Sequence, residues 1–186
     1  MTVTETSIPG VKILEPRLFP DGRGYFCETY SQRDFEAKVA PGIIFVQDNE
    51  SRSRRGVVRG LHFQVPPFAQ AKLVRVVEGR IVDIALDIRV GSPTYGRHVA
   101  VELSADNHRQ LFLPAGIAHG FAVLSEWATF LYKVDNFYAP QADGGISVTD
   151  PLLGIEWPFS LSEAILSDKD LRHPVLSQFT SPFKYE

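Results

Sequence analysis

The strongest constraint on the fold is a repeated pattern: short runs rich in Val, Ile, Phe and Tyr, each ended within a few residues by Gly, Pro, Asp or Asn. Residues 11–14, 25–30, 43–47, 57–64, 73–77, 81–88, 98–103, 110–113, 120–124 and 129–134 have the composition of strands. Several alternate apolar with polar residues, the period of a half-buried strand. The breaks carry turn chemistry: Pro20-Asp21-Gly22, Glu78-Gly79, Gly91-Ser92-Pro93, Ala105-Asp106-Asn107 and Pro114-Ala115-Gly116. So many short strands predict a mainly β, antiparallel sandwich of the jelly-roll (double-stranded β-helix) kind, with residues 1–186 as one domain.

Helix is scarce. Ser31-Gln32-Arg33-Asp34 has the form of a capping box and opens one helix carrying Phe35, Ala37 and Val39; a second short helix is expected over 160–165. The stretch 137–150 has no periodicity and is expected to be a binding loop or lid.

Composition narrows the partners. A hydrophobic content of 44% is enough for a core, and a net charge of −3 gives no basic footprint for nucleic acid, though local arginines suit a small anion such as a diphosphate. There is no apolar run of membrane-spanning length and no basic-then-apolar start, so a cytoplasmic protein is expected. The single Cys27 excludes an internal disulfide and suits a small core residue.

Two histidines carry the chemical question. His62 stands in Arg59-Gly60-Leu61-His62-Phe63-Gln64, and His119 follows Pro114-Ala115-Gly116-Ile117-Ala118. Metal-binding jelly rolls of the cupin type place H-x-H with a following Glu at the first position, and a His after P-x-G at the second. Here the second His of the first motif is Gln64, and Val65 to Gln70 contain no Glu. Two imidazoles fall short of the three protein ligands a catalytic metal normally takes, so no metal is expected unless a carboxylate comes from elsewhere. By residue type alone, His62 is as easily a hydrogen-bonded core residue, Tyr132 plain core with its hydroxyl tied, Lys72 a solvated strand end and Tyr138 an exposed loop aromatic. The run Arg52, Arg54 and Arg55 reads as solvated surface charge.

The order of the motifs changes that balance. Asp21-Gly22-Arg23-Gly24-Tyr25-Phe26, Phe45-Val46-Gln47-Asp48-Asn49, Val58 to Gln64, Ala71-Lys72-Leu73-Val74-Arg75, Pro114 to Phe121, Phe130-Leu131-Tyr132-Lys133, Gly154-Ile155-Glu156-Trp157-Pro158 and Leu166-Ser167-Asp168-Lys169-Asp170 follow one another along the chain. Together they resemble the dTDP-4-dehydrorhamnose 3,5-epimerase family over nearly the whole sequence. The resemblance implies a cupin-like fold and a cofactor-independent reaction on a dTDP-linked 4-keto-6-deoxyhexose, whose C4 ketone acidifies the hydrogens at C3 and C5.

By that resemblance His62 is the base and Asp170, more than a hundred residues away, its supporting carboxylate. A carboxylate on the far ring nitrogen fixes the tautomer and raises basicity. Tyr132 is the implied proton donor, Lys72 the cation for the oxyanion at O4, and His119 a hydrogen-bonding group near the sugar. Arg23 and Arg59 are implied at the phosphates or the bound nucleotide, Gln47, Asp48, Asn49 and Glu28 among the nucleotide contacts, and Tyr138 against the thymine; Asp143 and Lys169 are implied among the substrate-binding residues. Asp143 departs from the Glu that related enzymes often carry. The family also implies a homodimer in which the N-terminal strands, with Arg23 and Glu28, complete the partner's site. A mono-epimerase, a metal-dependent cupin and a non-catalytic sugar-nucleotide-binding jelly roll are the competing readings.

Overall fold

A computed structural model describes residues 1–185. Its strands are β1 (Thr2–Glu5), β2 (Lys12–Glu15), β3 (Leu18–Asp21), β4 (Gly24–Cys27), β5 (Gln47–Arg54), β6 (Val58–Gln64), β7 (Lys72–Glu78), β8 (Arg80–Asp87), β9 (His98–Ser104), β10 (Gln110–Leu113), β11 (Ile117–Val123), β12 (Trp127–Val134) and β13 (Asp143–Gly145). One sheet runs β1-β2-β10-β7-β12-β5, a second runs β13-β6-β11-β8-β9, and β3 and β4 form a separate hairpin. All these pairings are antiparallel. From β5 onward the chain alternates between the two sheets except where β8 is followed by β9 in the same sheet, which is the jelly-roll sandwich expected from the strand pattern.

Three apolar layers hold it. Between the sheets, Val74, Val76 and Phe130 of the first face Ile81, Ala85, Leu103, Phe121 and Val123 of the second. The outer face of the second sheet (Val58, Leu61, Phe63, Ile84, Leu86, Ala122) is covered by the C-terminal segment through Ile146, Val148, Leu153, Trp157, Phe179 and Phe183. The two layers explain why β8 is apolar on both faces: Ile81 and Ala85 point into the sandwich while Ile84 and Leu86 point under the C-terminal cover. On the first sheet's outer face, α1 (Gln32–Lys38) packs Phe35 against Leu14, Leu73 and Phe112. Ser31 caps α1 as expected by accepting from the Asp34 amide, and Asp34 pairs with Lys38.

Several sequence expectations need correction. Residues 43–46 form no strand; Ile43 and Phe45 pack with the α1 layer, and pairing begins at Gln47 and continues through the polar Gln47–Arg54. Residues 160–165 form a turn rather than a helix, and Ile165 bridges to Val57. β4 ends at Cys27 and does not reach Tyr30, and Cys27 is half-buried on the hairpin, outside the core. β11 starts at Ile117, and β13 lies inside the stretch that lacked periodicity.

One backbone feature positions the site. His119 pairs with His62 and Phe121 with Arg59, so β6 carries one extra residue against β11, a bulge. Across the bulge Arg59 and His62, three residues apart, come to line the same cleft. Gly60 and Gly120 permit it: a Cβ on Gly60, whose φ is +136°, would stand 2.6 Å from the Gly120 Cα.

Phe35→Ala empties the aromatic contact that docks α1. It is expected to lower unfolding free energy by about 3–5 kcal/mol in urea titration; a loss below about 1 kcal/mol contradicts this packing role.

Candidate active site

The open end of the sandwich forms a cleft lined by Ser51, Arg59, His62, Gln70, Lys72, His119, Phe130, Tyr132, Tyr138, Asp143 and Lys169, among others. Strand alternation explains the set. Lys72 shares a face with Val74 and Val76, Tyr132 with Phe130, and His119 with Ile117 and Phe121; where the hydrophobic interior ends, these faces continue as polar groups.

His62 is the group through which distant chain segments meet. Its Nε2 lies 2.5 Å from Oδ1 of Asp170, the first residue of a short 3-10 turn, Asp170–Arg172. The Ser167 hydroxyl fixes that turn by accepting the Asp170 amide. Burial alone would raise the Asp170 carboxyl, but the His62 hydrogen bond, together with the charge that ring carries whenever it is protonated, outweighs it and holds the group below its ordinary value. The ionised carboxylate keeps the ring proton on Nε2 and leaves the lone pair on Nδ1.

The paired histidine makes a separate dyad. His119 Nε2 lies 2.9 Å from Oδ2 of Asp83, a fully buried carboxyl on β8, and its ring stacks on Phe130 with centroids 5.7 Å apart. Burial pushes Asp83 up against the opposing pull of His119. Thus His62 and His119, adjacent in the ladder, are turned to different carboxylates. Gln64, at the position of the second cupin histidine, is committed elsewhere. Its amide donates to the carbonyls of Phe68 and Phe137 and accepts from the Ala139 amide, so it clamps two loops.

Lys72 is buried, with Nζ 3.0 Å from Gln70 Oε1 and 5.7 Å from the centre of the Tyr132 ring. Desolvation lowers its ammonium to about 8, against the partial support of Asp143 and Asp135. Burial also raises the Tyr132 phenol, so it keeps its proton at neutral pH. At the mouth, the exposed Tyr138 hydroxyl donates to Asp143 Oδ2, the same oxygen that pairs with Lys169. The shorter Asp143 side chain is therefore engaged within the protein. Arg59 donates from Nε to Ser53 Oγ at 3.1 Å.

The other predicted residues lie apart from this wall. Asn49 stands opposite Tyr132 and Gln47 opposite Val134 in the β5–β12 ladder, so both share the Tyr132 face at the edge of the cleft. They hydrogen-bond to each other, and Gln47 accepts the Tyr138 amide. Asp48 is turned to the other face by the period of the strand and pairs with Lys133. Arg23 sits in the exposed β3–β4 turn, paired with Asp21, and Glu28 lies with Met1 and Leu14 in a different depression. Arg52, read as solvated charge, makes a two-pronged contact with Glu78 and lies over Trp127. Sequence reasoning missed Asp83, Gln70 and Asp135; the signal for Asp83 was an acid inside the apolar run of β8.

The family model of dTDP-4-dehydrorhamnose 3,5-epimerase matches residues 5–178. A Salmonella typhimurium protein named dTDP-4-dehydrorhamnose 3,5-epimerase is 53% identical over 179 residues, covering 96% of this chain and 97% of its own. A crystal structure of a Legionella pneumophila 3,5-epimerase in complex with dTDP-4-keto-L-rhamnose superposes with a TM-score of 0.94 at 42% identity, over 100% of this chain and 98% of that one. A 3'-monoepimerase from Streptomyces bikiniensis, in complex with dTDP-quinovose, gives 0.86 at 36% identity over 92% of this chain and 86% of that one.

The ammonium is the form that Lys72 loses first as pH rises, so any step that uses its charge weakens as pH passes upward through about 8. An NMR titration of the Lys72 ammonium in the folded protein should show a midpoint near 8. A midpoint near a free lysine's value, about 10.4, contradicts the burial effect.

Proposed function

The chain belongs to the dTDP-4-dehydrorhamnose 3,5-epimerase family, and we propose that it inverts C3 and C5 of dTDP-4-dehydro-6-deoxy-D-glucose to give dTDP-4-dehydro-L-rhamnose. The observation that carries this reading is the His62–Asp170 dyad opening on the same cleft as Lys72 and Tyr132. Such a cleft offers a base, a cation and a proton donor to one ketone.

Nδ1 of His62 takes a proton from the carbon beside the C4 ketone, and the imidazolium formed is stabilised by the Asp170 carboxylate. The electron pair passes to O4, where the Lys72 ammonium meets the developing charge in a largely desolvated position. Negative charge at O4 favours the protonated amine, so a lysine titrating near 8 is held charged during the step. Tyr132 returns a proton to the carbon from the opposite face, which inverts the centre; solvent then resets both groups. The same cycle at the second carbon completes the reaction. No cofactor enters the scheme.

At the nucleotide end, Tyr138 stacks on the thymine, and Arg59 and Lys169 meet the diphosphate. Asn49 and Gln47 stand at the cleft edge with free amide capacity for a pyrimidine. His119, held by Asp83, contributes a fixed hydrogen-bonding group near the sugar. Arg23, Glu28 and Asp48 have no such place within one chain. We assign Arg23 and Glu28 to the cleft of a second subunit in a homodimer. The β3–β4 hairpin supports this, since Phe19, Tyr25 and Phe26 on it are all exposed. Among the described residues no helix is long and apolar enough to cross a membrane, and the proposed setting is the cytoplasm, where sugar nucleotides are made.

The test is proton NMR of dTDP-4-keto-6-deoxyglucose with the protein and a chelator in deuterated water. Loss of both the C3 and C5 proton signals is expected; loss of one alone identifies a mono-epimerase, and no exchange contradicts the proposal. His62→Ala should slow exchange at least ~10²-fold while dTDP still binds. Tyr132→Phe should lower product formation with less effect on exchange; unchanged product formation would reassign the acid.

A further inference from the structure

Next to the dyad stands an imidazole that the proposed reaction does not use. His173 places Nε2 3.7 Å from Asp170 Oδ1, beyond hydrogen-bonding distance, and that nitrogen is buried without any partner. Its ring meets the His62 ring edge-on with centroids 5.6 Å apart. The position is built into the backbone: Gly145 pairs with His62 in the β13–β6 ladder, and a Cβ on Gly145 would lie 2.5 Å from His173 Nε2. His62, Asp170 and His173 each offer one ligand atom, and these atoms all lie within 4.8 Å of one another.

We propose that His62, Asp170 and His173 form a binding site for a zinc-like transition-metal dication, and that its occupancy switches off the base. Two imidazoles and one carboxylate are a donor set that such ions take, with a fourth position left for water. Donors bound tetrahedrally at about 2.0–2.2 Å stand roughly 3.3–3.5 Å apart. The His173–Asp170 pair at 3.7 Å is near that spacing already. The His62–Asp170 pair has to open by roughly 1 Å. The charge of nearby Lys169 is countered by Asp143. Of the three residues His62 lines the cleft, so the site lies directly behind the cleft wall.

The consequence follows from the tautomer. A metal on His62 Nε2 displaces the proton that Nε2 holds in its hydrogen bond to Asp170, and in the neutral ring that proton moves to Nδ1. The lone pair that accepts the substrate proton is then gone. This site differs from the cupin position, since it draws on the C-terminal segment and leaves out His119 and Gln64. The inhibitory half of the inference rests on the proposed epimerase reaction; the binding half does not.

Calorimetry with Zn²⁺ on chelator-stripped protein should show one site per chain, with Mg²⁺ as a control that does not bind. His173→Ala, and His173→Phe as a variant that keeps a ring against Gly145, should each weaken Zn²⁺ at least ~10-fold. Without zinc both variants should retain the exchange activity of the unaltered protein, and the zinc concentration needed for inhibition should rise in parallel. The absence of a single site, or equal affinity in the His173 variants, overturns the proposal. Full exchange activity at saturating zinc, with binding intact, overturns the switch and removes His62 as the base.

Discussion

Asp170 is almost entirely out of water, and a carboxylate there stays ionised only while hydrogen-bond donors compensate its burial. His62 supplies the principal donor. That contact joins a strand in the second sheet to a turn 108 residues later, so it also fixes how the C-terminal segment returns to the cleft. The dependence is mutual. Without Asp170, His62 has no fixed tautomer; without His62, Asp170 is a buried charge with its strongest donor removed.

The same fold elsewhere supports metal chemistry, and the side chains here show how that geometry is redirected. His62 and His119 face each other in the ladder, where a shared metal would need both rings to converge. Each instead turns to a different carboxylate, one from the C-terminal segment and one from β8. Gln64 spends both ends of its amide on loop carbonyls and an amide. Burial tunes the groups of this cleft: it lowers the Lys72 ammonium and raises the Tyr132 phenol.

Much of the architecture was legible in the sequence because apolar runs and turn residues report burial directly. The strands from β6 to β10 fall where their Val, Ile and Leu content places them, and Ser31 caps α1 as its spacing predicts. β5 escaped because its outward face is charged and its inward residues are small or amidic, so no apolar alternation marks it. The turn at 160–165 carries helix-like apolar spacing, but its apolar residues serve to cover the second sheet. For the site, residue types named His62, Lys72 and Tyr132 only through the family resemblance. The meeting of His62 with Asp170 depends on long-range folding that no local pattern encodes. The Asp83 contact with His119 and the approach of His173 were invisible for the same reason.

The central claim is that Asp170 holds His62 as the Nε2-protonated tautomer, with Nδ1 free to accept a proton. Nitrogen-15 NMR of the His62 ring at neutral pH tests it most directly. A protonated Nε2 whose signal changes in Asp170→Asn, and an unprotonated Nδ1, are expected. A proton residing on Nδ1, or ring signals indifferent to Asp170→Asn, would contradict it.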